Sequence, residues 1–192
     1  MKKDIILAGV GGQGILSIAT VIGSAALEQD LHLKQAEVHG MSQRGGDVQS
    51  NLRLSSDPIF SDLIPRGGAD LVVSLEPMEA LRYIPFLAPD GWIITNTVPF
   101  VNIPDYPAME AVMGELNKLP HVIAIDVDAI AKESGSARSA NMVLLGATAS
   151  VLGILEPEKL RDGIRRIFGR KGEAIVEANI KAFDAGLASA QK

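Results

Sequence analysis

The stretch DIILAGVGGQG, residues 4–14, decides the fold of this chain. After Asp4 it is a short apolar run, which is typical of a strand buried on both faces of a parallel sheet. Glycines then follow in the order G-x-G-x-x-G. Beyond them a helix is predicted from residue 13 to about residue 28, because apolar residues recur there at helical spacing. These are Ile15, Ala19, Ile22 and Ala26.

The glycine turn has the chemistry of a phosphate site. Residues without a Cβ allow a tight turn and let a ligand approach the backbone closely. The helix that follows offers free N–H groups and a partial positive charge at its start. We therefore take five residues as candidate ligand contacts: Gly9, Gly11, Gly12, Gln13 and Gly14. The alternative is a tight strand–helix turn that binds nothing.

Glu37 raises a nicotinamide or a flavin as one candidate ligand of the turn. A second strand is predicted at residues 34–40, which completes a strand–helix–strand unit. Rossmann proteins keep a ribose-binding acid roughly 20 residues beyond the glycine turn, and Glu37 lies near that distance. The acid precedes Val38 and His39, however, and so is not clearly at the strand end.

The rest of the chain continues the alternation of strands and helices. Strands are predicted at residues 48–55, 69–77, 91–97 and 121–127, of which the first suits a sheet edge. Helices are predicted at residues 78–87, 108–118, 140–153 and 156–168, and a last helix places Val176, Ile180, Phe183 and Leu187 on one face. The pattern predicts a single domain over residues 1–192. Its fold class is α/β: a three-layer, mostly parallel, Rossmann-like sheet with helices on both faces.

The loop HGMSQRGG, residues 39–46, has more polar chemistry than a connection between strands needs. Arg44 can donate two hydrogen bonds to a phosphate or a carboxylate. Ser42 adds a hydroxyl group, and Gly45 and Gly46 can expose backbone N–H groups. Because the ends of parallel strands meet at one edge of a sheet, the loop is predicted to flank the glycine turn. A structured turn without a ligand is the alternative.

Several other polar residues have a structural explanation beside a functional one. Asp126 and Asp128 follow a strand and could bind a metal, but a cap for the next helix is the favoured role. Asn141 opens the apolar helix at residues 140–153; a cap is again favoured, and a place in the ligand site is the alternative that we keep. A basic cluster is typical of a solvated face; it consists of Arg165, Arg166, Arg170 and Lys171.

Composition excludes several classes of function. The 192 residues contain no cysteine, so the sequence offers no disulfide, catalytic thiol or cysteine-ligated cluster. The formal net charge of −5 argues against binding to a nucleic-acid backbone. The apolar run near the N-terminus is too short for a signal peptide, and the longest later run falls short of the ~20 residues of a membrane span. A cytoplasmic protein without a membrane partner is predicted.

Four motifs, in this order, resemble one protein family: GVGGQGI, EVHGMSQRGGDVQSNLRLS, ADLVVSLEPMEALR and ARSANMVLLGA. Together they resemble the gamma-type subunits of 2-oxoacid:ferredoxin oxidoreductases, and the similarity extends over most of the chain. The HGMSQRGG form is most similar to the small beta subunit of the indolepyruvate enzymes. The resemblance implies that residues 1–192 form one gamma-type domain.

The resemblance also implies a function and a set of partners. Complexes of this family oxidatively decarboxylate a 2-oxoacid, transfer the acyl group to coenzyme A (CoA) and pass electrons to ferredoxin. Thiamine diphosphate, Mg²⁺ and iron–sulfur clusters would lie on a large alpha subunit, because this chain lacks cysteine and the usual thiamine diphosphate motif. The gamma-type domain is associated with CoA binding and subunit packing, which implies a non-catalytic subunit.

Two expectations remain open from the sequence. The first is that the isolated chain associates into a homodimer. The other is the alternative function, a free-standing Rossmann oxidoreductase that binds NAD or a flavin through Glu37.

Overall fold

The computed structural model describes residues 1–39 and 45–191. The strands are β1 (Lys2–Val10), β2 (His32–His39), β3 (Asp47–Ser55), β4 (Ala69–Ser74), β5 (Leu87–Asn96) and β6 (Val122–Ile125). The α-helices are α1 (Ile15–Leu27), α2 (Pro77–Arg82), α3 (Met109–Leu116), α4 (Val127–Glu133), α5 (Ala140–Leu152), α6 (Pro157–Phe168) and α7 (Glu173–Ala190). Short 3₁₀ segments lie at Ile84–Phe86, Ala137–Ser139 and Gly169–Lys171. The predicted alternation of strands and helices is confirmed.

The strands form a mixed sheet in the order β2-β3-β1-β4-β5-β6. Strands β1, β4, β5 and β6 are parallel, whereas β3 is antiparallel to both of its neighbours. The expectation that β3 suits an edge is therefore wrong, because β2 occupies the edge and β3 separates it from β1. The short connection from β2 to β3 explains this, since a parallel crossover needs a dozen or more residues.

Helices cover both faces of the sheet, so the predicted three-layer arrangement is confirmed. Successive side chains of a strand point to opposite faces. Ile5 and Leu7 of β1 accordingly pack in the cluster that contains α1, α5, α6 and α7. Ile6 and Ala8 pack in a second cluster with α2 and α3. The central strand β1 is thus fixed from both sides, which holds its C-terminal end in place.

Helix α5 is buried on nearly all sides, as its apolar composition predicts. It packs closely against α7, and two glycines make that approach feasible. A Cβ at Gly146 would overlap the carbonyl oxygen of Phe183, and a Cβ at Gly186 would overlap that of Val143. The close pairing fixes α5 and α7 relative to each other.

Within residues 1–39 and 45–191, the structure contains no helix with both the length and the apolar character that crossing a membrane requires.

Candidate functional site

The glycine turn lies where β1 ends and α1 begins. Because β1 is an interior strand, the turn has a neighbouring strand on each side. Gly12 and Gly14 have φ angles of 105° and 81°. Residues with a side chain rarely adopt such angles, so both positions favour glycine. The turn therefore has its tight geometry because of its sequence, as predicted.

Gln13 braces the turn from within. Its Oε1 accepts a hydrogen bond from the backbone N–H of Val10 at 2.7 Å. Its Nε2 donates to the carbonyl oxygen of Leu75 at 3.1 Å, which ties the turn to the end of β4. A Cβ at Gly9 would lie 3.0 Å from Gln13 Oε1, so Gly9 makes room for this brace. The side chain of Gln13 is thus used internally, and a ligand contact by this residue stays a prediction.

The turn leaves several backbone donors open. Among the described residues, no group accepts a hydrogen bond from the N–H of Gly12, Gly14, Ile15 or Leu16. These residues line a cavity of about 310 Å³ at the start of α1. Converging N–H groups at a helix start suit a phosphate or another anion.

Gly45 and Gly46, the described end of the loop at residues 39–46, lie against the glycine turn, as predicted. The N–H of Gly11 donates to the carbonyl oxygen of Gly46 at 2.8 Å, and the N–H of Gly45 donates to that of Gly11 at 3.4 Å. The expectation that the Gly45 amide is exposed for a ligand is therefore wrong, because β-type pairing with the turn uses it.

Ser42 and Arg44, the other two residues of this loop predicted to contact a ligand, lie outside the described residues. On its far side, Gly45 is held by Asn102, whose Nδ2 donates to the Gly45 carbonyl oxygen at 2.8 Å. The segment that follows β5 thus contacts the same loop.

Asn141 is brought to the turn from the start of α5. Its Nδ2 donates to the carbonyl oxygen of Gly14 at 3.2 Å. The favoured role as a cap of α5 is wrong, because the residue before that helix, Ser139, occupies the cap position and no side chain bonds there. A Cβ at Gly14 would lie 2.9 Å from Asn141 Nδ2, so a side chain at Gly14 would disturb the turn itself. The structure places Asn141 beside the candidate site; a ligand contact by it stays a prediction.

Glu76 is a buried carboxylate at the end of β4 that the sequence analysis missed. It is 2% exposed. Its carboxylate accepts from the N–H of Glu79 at 2.9 Å, from the N–H of Phe100 at 3.3 Å, and from the hydroxyl group of Tyr106. Burial, followed by the hydrogen bond to Glu76, raises the pKa of Tyr106. The available signal was a Glu before Pro77 at a strand end, a pattern typical of a helix start.

Glu79 lies one turn further along α2 and pairs with Arg82. Its Oε2 accepts from Arg82 Nε at 2.8 Å. Burial raises the pKa of Glu79, and the guanidinium of Arg82 opposes that shift. The two carboxylates therefore stabilise α2 and the segment after β5, and neither is free to act on a ligand.

The aspartates at the end of β6 have structural roles. Asp126 caps α4 by accepting from the N–H of Ala129 at 2.8 Å, which confirms the favoured interpretation. Asp128 accepts from Asn96 Nδ2 at 3.1 Å. No group of three or more potential metal ligands occurs in the part of the chain that the structure describes.

Glu37 does not lie where a ribose-binding acid would. It is on β2, with the whole of β3 between it and β1. Its Oε1 accepts a hydrogen bond from Gln35 Nε2 at 2.6 Å. The inserted antiparallel strand thus carries Glu37 away from the glycine turn, and the structure does not support NAD or flavin binding through this residue.

The chain matches the family described as pyruvate ferredoxin/flavodoxin oxidoreductase over residues 4–189. It is 36% identical over 194 residues to indolepyruvate oxidoreductase subunit IorB of Archaeoglobus fulgidus, covering 97% of this chain and 94% of the relative. It is 37% identical over 202 residues to the IorB subunit of Pyrococcus horikoshii, covering 100% of this chain and 98% of the relative.

Solved structures have the same fold. The gamma subunit of a keto/oxoacid ferredoxin oxidoreductase from Geobacter sulfurreducens matches with a TM-score of 0.70 at 25% identity, over 98% of both chains. The 2-oxoglutarate:ferredoxin oxidoreductase of Magnetococcus marinus, a complex with 2-oxoglutarate, coenzyme A and succinyl-CoA bound, matches with a TM-score of 0.74 at 24% identity. That match covers 99% of this chain and 31% of the other, so the fold here corresponds to one part of a longer chain.

Proposed function

The chain belongs to the pyruvate ferredoxin/flavodoxin oxidoreductase family, and we propose that it is the small, non-catalytic subunit of a ferredoxin-dependent 2-oxoacid oxidoreductase. The complex would convert a 2-oxoacid, CoA and oxidised ferredoxin to an acyl-CoA, CO₂ and reduced ferredoxin. Indolepyruvate is the favoured 2-oxoacid, because full-length relatives at 36% and 37% identity are indolepyruvate oxidoreductase subunits.

A large alpha subunit is the proposed partner for the chemistry that this chain does not supply. Thiamine diphosphate with Mg²⁺ would stabilise the carbanion left by decarboxylation, and iron–sulfur clusters would accept the two electrons. Cysteine thiolates usually hold such clusters, and the 192 residues here contain none. Ferredoxin would therefore receive its electrons from the partner.

CoA is the ligand that we propose for the glycine turn. The observation that carries this proposal is the set of open N–H groups at Gly12, Gly14, Ile15 and Leu16 beside a cavity of about 310 Å³. A phosphate of CoA would accept these hydrogen bonds, and the start of α1 would favour its negative charge. The turn would then bind and orient CoA and take no part in proton or electron transfer.

The turn is preformed for such a ligand. Gln13 and Asn141 hold its backbone from two sides without using the open N–H groups. Preformed donors lose little conformational freedom when a ligand binds, which favours affinity. Gly9 and Gly11 would thus serve the site indirectly, through the brace and through the pairing with Gly46.

The loop at residues 39–46 would lie at the seam between CoA and the alpha subunit. Its described end contacts Gly11 directly. Ser42 and Arg44, which precede that end, would donate to a CoA phosphate or to a polar group of the partner. We place these two residues in the site by their position in the sequence.

Residues 1–192 would form one gamma-type domain that works in the cytoplasm. Its partners would be the alpha subunit and, through the complex, ferredoxin. Neither nucleic acid nor a membrane is proposed as a partner, and a homodimer would form only when the alpha subunit is missing.

Reconstitution tests the subunit assignment. The purified chain should not reduce ferredoxin or a viologen dye with any 2-oxoacid, because it has no group to hold electrons. Addition of the alpha subunit should give CoA-dependent reduction, and indolepyruvate should be a better substrate than pyruvate. Sustained reduction by the chain alone, after removal of every trace of the alpha subunit, would contradict the assignment.

A further inference from the structure

Residues 97–106, which follow β5, form an irregular segment that reaches the loop beside the glycine turn. We call these residues the 97–106 segment. Most of its large apolar side chains are exposed: Val98, Phe100, Val101 and Ile103. Exposed apolar groups contribute little to folding through burial. Packing alone therefore does not explain how this segment keeps its position.

Hydrogen bonds to the sheet hold the start of the segment. The N–H of Thr97 donates to the carbonyl oxygen of Ile125 in β6 at 3.0 Å. The N–H of Val98 donates to Asn96 Oδ1 at 3.2 Å. Asn96 is itself buried at the end of β5. The segment thus leaves the sheet in a fixed direction.

The buried carboxylate of Glu76 holds the segment at two further points. Its Oε1 accepts from the N–H of Phe100 at 3.3 Å and from the hydroxyl group of Tyr106. Burying a carboxylate is costly, and these donors offset that cost. Asn102 lies between the two points in the sequence. Glu76 therefore fixes the chain on both sides of Asn102.

Asn102 is the residue that connects the segment to the site. Its Nδ2 donates to the carbonyl oxygen of Gly45 at 2.8 Å. The N–H of the same residue, Gly45, donates to the carbonyl oxygen of Gly11 at 3.4 Å. Gly45 is thus held between the glycine turn and Asn102, and the bond to Asn102 is the shorter of the two.

The position of Gly45 affects the cavity at the glycine turn. Gly11 lines that cavity, and its N–H donates to the carbonyl oxygen of Gly46 at 2.8 Å. Val48, two residues after Gly46, lines it as well. A movement of Gly45 would therefore be transmitted to the cavity through both of its neighbours in the structure, the turn and the start of β3.

We propose that Asn102 is a positioning residue for the use of CoA, and that Glu76 and Tyr106 act through it. The Asn102 amide fixes Gly45 against the glycine turn and takes no part in the chemistry. Without it the cavity would adopt its binding shape for only part of the time, which weakens affinity in proportion. This inference rests on the proposed function, because the ligand concerned is CoA.

Kinetics of the reconstituted complex test the role of Asn102. Asn102→Ala should raise the Michaelis constant for CoA about fivefold, as expected for one lost hydrogen bond. Asn102→Asp should raise it at least as much, because a carboxylate cannot donate to the Gly45 carbonyl oxygen. The turnover number at saturating CoA and the Michaelis constant for the 2-oxoacid should not change.

Asn117→Ala is the matched control. This asparagine is also exposed, at the end of α3, and its side chain forms no hydrogen bond within residues 1–39 and 45–191. All three kinetic constants should remain at the wild-type values in this variant. An unchanged Michaelis constant for CoA in Asn102→Ala, or equal increases for CoA and the 2-oxoacid, overturns the proposal.

A double-mutant cycle tests whether Tyr106 acts through Asn102. Tyr106→Phe removes the hydroxyl group that donates to Glu76 and keeps the ring. It should raise the Michaelis constant for CoA about twofold, the lower end for a lost hydrogen bond. The double variant with Asn102→Ala should match Asn102→Ala alone. Multiplication of the two effects would show independent action and overturn this part of the proposal.

Hydrogen exchange of the free chain separates this inference from the proposed function. The N–H of Gly11 should exchange faster in Asn102→Ala than in the wild type or Asn117→Ala, with the free energy of unfolding unchanged. Equal exchange at Gly11 in all three proteins overturns the positioning role. Failure of the proposed function would instead show as CoA-independent turnover of the wild-type complex, and it would leave the exchange result unaffected.

Discussion

The polar groups at the two ends of strand β1 differ in whether they have hydrogen-bond partners. At the N-terminal end, Asp4 is fully buried, and its carboxylate accepts from Arg53 at 2.8 and 3.0 Å and from Lys2 at 2.8 Å. The N–H of Asp4 in turn donates to Asp70 Oδ2 at 2.7 Å. At the C-terminal end, the turn leaves backbone N–H groups without acceptors among the described residues. A closed network stabilises the fold, whereas an open one is available to a ligand.

Arg53 extends the closed network to the segment that follows β3. Its Nη1 donates to the carbonyl oxygens of Ser61 and Leu63, both at 3.0 Å. The N–H of Ile64 donates to Asn51 Oδ1 at 3.1 Å, which fixes the same segment at a second point. The polar groups at this end thus hold chain segments together, and we assign them no ligand.

Asp4→Ala should have the largest effect on stability. It leaves the largely buried guanidinium of Arg53 without its carboxylate, and loss of one partner of a buried pair costs about 3–5 kcal/mol. Denaturant unfolding followed by circular dichroism measures the free energy of unfolding. The control is Lys118→Ala, which removes an exposed pair with Glu115 and should cost less than about 1 kcal/mol. If both variants lose the same free energy of unfolding, the buried network contributes no more to stability than an exposed ion pair.

Glu76→Ala should cause the second-largest loss of stability. It removes the acceptor of Tyr106 and of the N–H of Phe100, and it removes the cap of α2, so we expect a loss of about 2 kcal/mol. Glu110→Ala is the control, because this glutamate is exposed and should cost within about 0.5 kcal/mol. Hydrogen exchange at residues 97–106 should accelerate in Glu76→Ala only. Unchanged exchange there would contradict the role of Glu76 as the anchor of that segment.

Arg44→Ala should leave stability unchanged and affect binding. A lost charged hydrogen bond costs about 1.5–3 kcal/mol, or roughly tenfold in affinity. We expect this loss in CoA use or in association with the alpha subunit, with the free energy of unfolding within about 0.5 kcal/mol of the wild type. Enzyme kinetics of the complex measure the use of CoA, and a titration with the alpha subunit measures association. If neither changes, the loop at residues 39–46 is a structured turn only.

Local patterns predicted most of the fold. The apolar run of β1, the glycine turn and α1 are encoded within residues 4–27, and helix α5 is recognisable from its apolar composition. The position of β3 was not predictable in this way, because pairing between strands depends on contacts outside the strand's own sequence. The short connection before β3 was the one local sign of an antiparallel partner.

The candidate site was only partly predictable for the same reason. The glycines are one local motif, but Asn141 reaches the turn across a separation of 127 residues. Gln13 was predicted as a ligand contact, and its bond to Leu75 became visible only with β4 beside β1. Glu76 was overlooked because its partners, Phe100 and Tyr106, come from a proline-rich segment without a recognisable pattern.

Binding of CoA to the glycine turn should be visible in the Michaelis constant for CoA. Gly12→Ala places a methyl group at the open end of the turn, where a Cβ meets nothing within 4 Å. Gly67→Ala is the matched control, since Gly67, two residues before β4, also has a positive φ and open surroundings. In the reconstituted complex, Gly12→Ala should raise the Michaelis constant about tenfold, as expected for lost phosphate contacts, and Gly67→Ala should leave it unchanged. The same Michaelis constant in both variants and the wild type would contradict CoA binding at the turn.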